Sequence, residues 1–94
     1  MENKGRTAFV ELVEARIAVW QKNIQGLELK LSKKDNPDAR EIVARMKARV
    51  EVLTTKAASA AGVPADQWPG FKSEADLILE GLEGLQKDAA KRLG

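Results

Sequence analysis

Between residues 6 and 61 the apolar positions fall into two runs with steps of three and four, broken once by a short polar turn. The first run is Val10, Val13, Ile17, Trp20, Ile24, Leu27 and Leu31; the second is Ala39, Val43, Met46, Val50, Leu53, Ala57 and Ala60. A strand places its apolar residues at every second position, so this spacing predicts helices, each with a continuous seam. Two such seams joined across Asp35-Asn36 predict an antiparallel hairpin of long helices with coiled-coil-like packing.

The helix ends follow from local chemistry. Thr7 is the N-cap candidate of a first helix over 7–34; Glu11 and Glu14 lie in its early turns and Lys30, Lys33 and Lys34 in its last, as the helix dipole favours. Residues 1–5 are polar and predict a frayed end. Asn36 reads as the next N-cap, with Pro37 at the first helical position and Asp38 in the first turn. The second helix covers 37–61, with Gly62 as the residue past its end, Val63 as the accompanying apolar contact and Pro64 as the stop.

Residues 62–73 carry two prolines and two glycines and predict a loop, which Trp68 and Phe71 pin to the end of the core. Ser73 and Asp76 have the spacing of a capping box, opening a third helix over 74–93. Its apolar line is Ala75, Ile78, Leu82, Leu85 and Ala89, thickened by Leu77 and Leu79. Arg92 takes a seam position, which predicts fraying at the C-terminal end. Gly81 and Gly84 each cost up to about 1 kcal/mol relative to alanine inside a helix. They read either as close helix approach or as a surface that a partner's backbone meets.

Phe9, Leu12 and Val19 lie off the first seam, all in the first half of that helix, while the second half has only Leu29 off it. The third helix starts beside the first half, so it is predicted to fold back and cover those three. The fold expected is a single all-α domain over 1–94: an antiparallel hairpin with a third helix alongside, a three-helix bundle able to dimerise into a larger one. A chain of 94 residues buries only about 60–65% of its extended surface. Its second seam is rich in alanine, which adds little buried area. Both features favour self-association or a protein partner. Trp20, midway along the first seam, belongs either to the core or to a subunit interface, and Leu77 joins Gly81 and Gly84 as an interface candidate.

Charge adds one refinement. The net charge is +2, but residues 1–56 carry twelve positive and eight negative charges, and residues 57–94 carry four and six. The hairpin is therefore mildly basic, with Lys30, Lys33, Lys34 and Arg40 at its tip and Arg45 and Arg49 sharing one face of the second helix. This patch is the basis of a second reading, a nucleic-acid-associated factor. Glu41 and Glu51 interrupt it, and the helices are too long for a helix-turn-helix.

Cysteine and histidine are both absent, which removes disulfides, thiolate metal sites and the commonest catalytic base. No glycine-rich phosphate loop occurs. The acidic pairs Asp35/Asp38 and Glu80/Glu83 belong to solvated helix surface. No cofactor, metal, small-molecule substrate or enzymatic activity is expected. Neither a secretory signal nor a membrane span is visible, so the expected location is cytoplasmic. The reading that follows is a non-enzymatic helical interaction or scaffolding protein, self-associating as a homodimer.

Overall fold

In the computed structural model, which describes residues 2–93, the Asn36-Pro37 turn joins two long helices, α1 (Glu2–Lys33) and α2 (Pro37–Ser59). Asn36 has extended backbone angles, and its side-chain oxygen accepts a hydrogen bond from the Ala39 amide at 3.1 Å. Pro37 follows at the first helical position, where its missing N–H leaves nothing unsatisfied. The cap expected from the sequence is the cap that forms. Single 3₁₀ turns at Ala60–Gly62 and Ala65–Gln67 then lead into α3 (Trp68–Leu93). The three helices pack as an all-α bundle, a rod of 50 × 18 × 16 Å. A helix of 32 residues spans about 48 Å, so α1 alone sets the length of the molecule.

The buried side chains are those of the two seams. Val13, Ile17, Trp20, Ile24 and Leu27 from α1 meet Val43, Met46, Val50 and Leu53 from α2, and Ala75, Leu82 and Ala89 of α3 complete the cluster. Ala39 and Ala60 are buried as well. Ile42, off the predicted line, is buried too, which widens the apolar face of α2. Met46, Leu53, Leu82 and Val13 are the largest fully buried side chains. Among the described residues every buried one is apolar, so hydrophobic burial holds the bundle together.

Four local expectations change. α1 starts by Glu2, so Thr7 lies inside the helix and caps nothing; Met1 is outside the described residues. α2 leaves α-helical geometry after Ser59 and tightens into a 3₁₀ turn, where the Val63 amide donates to the Ala60 carbonyl at 3.2 Å. Gly62 stays out of the left-handed region and a Cβ there would meet nothing, so the chain does not depend on a glycine to end this helix. α3 begins at Trp68, not 74, because the Ala65–Gln67 turn feeds into it and Pro69 falls in its first turn, where proline is tolerated. Ser73 and Asp76 are therefore interior, exposed residues and not a cap.

The fourth change concerns coverage. α3 packs chiefly against α2, antiparallel to it, and touches α1 much less. Ion pairs of Lys56 with Glu74 and of Arg92 with Asp38 mark the register at either end, with Arg49 lying against Gly81 between them. Of the three off-seam residues in the first half of α1, only Phe9 is covered. Leu12 and Val19 remain exposed.

Candidate interaction surfaces

The open end of the hairpin is closed by aromatic packing. Phe9 meets Trp68 edge-on with ring centroids 5.4 Å apart, and Trp68 stacks on Phe71 at 5.2 Å. Cations surround this cluster: the Arg6 guanidinium lies 4.6 Å from the Trp68 ring centroid, and the Lys56 ammonium 5.0 Å from that of Phe71. Arg6 also donates to the Ala60 carbonyl at 3.1 Å, tying α1 to the end of α2. Trp68 and Phe71 thus plug the core as expected, but from the first turn of α3 rather than from a loop. The contacts between rings and cations are satisfied within the chain, which makes this end a structural element.

At the other end, the tip is partly neutralised. Arg40 pairs with Asp35, and Arg92 reaches Asp38 at 3.2 Å and Asp88 at 3.4 Å. The Asn36 amide donates to the Arg92 carbonyl at 3.2 Å, so the end of α3 is fastened to the start of α2. Arg92 therefore anchors this end instead of marking a frayed one. Along α2, Arg45 pairs with Glu41 at 3.0 Å and Lys47 with Glu28. Arg49 lies across α3, where the missing side chain of Gly81 leaves room; a Cβ there would stand 3.3 Å from the Arg49 Nη1. Lys30, Lys33 and Lys34 make no ion pair among the described residues. The six basic candidates thus separate into three turned inward or paired (Arg40, Arg45, Arg49) and three lysines facing solvent at the end of α1.

The interface candidates separate in the same way. Trp20 is 8% exposed and belongs to the core of this one chain. Gly81 is filled by Arg49, an intramolecular reason for its small size, whereas nothing lies within 4 Å of a Cβ placed on Gly84. Leu77 is 64% exposed, and Val52 is 47% exposed on α2.

A more continuous surface lies on α1, on the side turned away from its buried seam. Leu12 and Val19 are each 53% exposed and Leu29 61%. They are part of a second run in steps of three and four: Ala8, Leu12, Ala15, Val19, Lys22, Gly26 and Leu29, every one of them exposed. Gly26 is the odd member, because mid-helix glycine is unfavourable and nothing in the protomer approaches it within 4 Å. The spacing was readable in the sequence. It was masked there by the expectation that the third helix covers Leu12 and Val19.

Two of the depressions along the bundle are open grooves between α1 and α2, lined by polar side chains such as Glu14, Gln21, Gln25 and Glu51 among apolar ones. Among the described residues, no group of three or more acidic side chains is placed to hold a metal ion, and no helix is long and apolar enough to cross a membrane. Compared with models of known protein families, with curated proteins and with solved structures, the chain matches none.

Proposed function

We propose that this protein is a non-enzymatic helical interaction or scaffolding protein of the cytoplasm that self-associates through a helix face. The observation that carries this reading is the half-exposed stripe of Leu12, Val19 and Leu29 on α1, opposite the core-facing seam of the same helix. A helix that is apolar on two sides buries one against its own bundle and keeps the other for a second surface. Burying what remains exposed of these three side chains on two copies contributes about 7 kcal/mol, taking roughly 2 kcal/mol for each full side chain. Association itself costs about 4–15 kcal/mol in lost freedom, so the pairing is concentration-dependent and not obligate. Light scattering or sedimentation between low-micromolar and millimolar protein tests this directly. A mass that rises with concentration supports the reading, and a constant 10.3 kDa ends it.

A second reading, a nucleic-acid-associated factor, draws on the three lysines at the end of α1 that have no acidic partner among the described residues. Gel-shift titration at two salt concentrations tests it: binding through phosphates must weaken steeply as salt rises. The pairing of Arg40 and Arg45 within the chain leaves this patch smaller than the sequence suggests, and self-association is the preferred reading.

A further inference from the structure

We infer that the outer stripe of α1 pairs with the same stripe of a second copy, antiparallel, with Leu12 of one chain level with Leu29 of the other and Ala15 level with Gly26. The inference deepens the self-association proposed above and rests on it. Three observations select this occupant and this direction. The first is self-complementarity. A heptad stripe run against itself antiparallel alternates its two kinds of position. In this register the large Leu12 and Leu29 form the outer layers and the small Ala15 and Gly26 the next ones in. Val19 then meets the stem of Lys22, whose ammonium can reach solvent.

The second is Gly26. Its protomer gives it no neighbour, and a Cβ there would stand in open space. Opposite Ala15 of a second copy, its small size lets the two backbones come close, which offsets the helix propensity it gives up.

The third is charge. Glu11 flanks the stripe near one end, Lys30 and Lys33 near the other, all three are exposed, and none is paired within its own chain among the described residues. The antiparallel run brings Glu11 level with Lys30 of the second copy and within one turn of its Lys33. A parallel run would set the lysines of the two copies beside one another and Glu11 beside Glu11, which is unfavourable.

The chain has no cysteine, so disulfide trapping is clean. The double variant Ala15→Cys/Gly26→Cys and the two single variants are oxidised mildly at a concentration where the wild type associates. Within one chain the two thiols are eleven residues apart on a helix, about 16 Å, too far to join. The antiparallel register predicts that the double variant becomes a covalent dimer while neither single variant does. Mixing the two single variants should yield only the cross-linked heterodimer. Linking of either single variant with itself at a comparable rate indicates a parallel or different register and overturns the inference. So does an unlinked double variant in a protein that sediments as a dimer, although self-association would then stand. A protein that stays monomeric throughout removes the underlying reading as well. Both sites are exposed, so the reduced variants should match the wild type in helical content. As an independent check, Leu12→Glu should weaken self-association at least tenfold without cysteine chemistry, and unchanged association in that variant also overturns the inference.

Discussion

Replacing Gly26 by alanine should stabilise the isolated chain, and the size of the effect can be worked from its surroundings. Gly26 lies deep inside α1, seven residues before the end of the helix at Lys33 and well clear of either cap. An added methyl group would meet no atom within 4 Å, so the substitution carries no steric cost in the protomer. What remains is the difference in helix propensity, about 0.8–1.0 kcal/mol in favour of alanine. For a chain of this size that corresponds to a rise in Tm of roughly 4–8 °C. The assay is thermal unfolding followed by far-UV circular dichroism, at a protein concentration low enough that self-association is negligible. Gly81→Ala provides the internal comparison. Its new methyl would stand 3.3 Å from the end of the Arg49 side chain, which must shift, so its gain should be clearly smaller. A drop in Tm for Gly26→Ala, or a larger gain at Gly81 than at Gly26, would refute the reasoning. The drop would mean that the outer side of α1 is not open in the protomer, and the larger gain at Gly81 that Arg49 does not crowd that position.

Other substitutions test the packing and the ends. Leu82→Ala removes a fully buried side chain of α3 and should destabilise by about 3 kcal/mol in urea unfolding; a loss under about 1 kcal/mol would mean that α3 is only loosely docked. Asn36→Ala removes both the cap of α2 and the bond to the Arg92 carbonyl and should cost about 1 kcal/mol or slightly more, read as a lower urea midpoint at unchanged slope. Gln86 carries a buried Oε1 with no hydrogen-bond partner in the protein. Gln86→Leu should therefore raise stability by about 1 kcal/mol, and a loss of stability would show that the amide is satisfied in solution.

Much of this architecture was legible in the residue pattern, and the reasons differ from element to element. The seams of α1 and α2 were readable because seven apolar residues in each keep a single helical face, and no competing signal interrupts them. Asn36-Pro37-Asp38 was readable because cap, proline and acidic first turn all favour the same helix start. The start of α3 was not. Two local signals competed, Pro69-Gly70 as a loop and Ser73-x-x-Asp76 as a cap, and both yielded to the packing of Trp68 and Phe71 on Phe9. No spacing rule reports a contact across some sixty residues. Arg92 misled for a related reason: in the seam it reads as an intruder, yet its charged end reaches Asp38 across the groove between α3 and α2.

The interaction surface shows the same division more sharply. Leu12, Val19 and Leu29 were visible as apolar residues off the seam, and the physical demand for cover was inferred correctly for Phe9. What the sequence could not supply was the side of the hairpin on which α3 lies. Once α3 settles on α2, the outer stripe of α1 has no cover within the chain. The basic tip changes in the opposite sense, since Asp35 and Asp38, which appear in the sequence merely as acidic neighbours, pair with Arg40 and Arg92.

Sedimentation equilibrium of the wild-type chain across micromolar to millimolar concentration, beside Leu12→Glu, decides whether the chain self-associates through the outer stripe of α1. The wild-type mass should climb from 10.3 kDa toward twice that value, with the variant remaining near the monomer over the same range. A wild type that holds at 10.3 kDa throughout, or a variant that associates as readily as the wild type, would contradict self-association through that stripe.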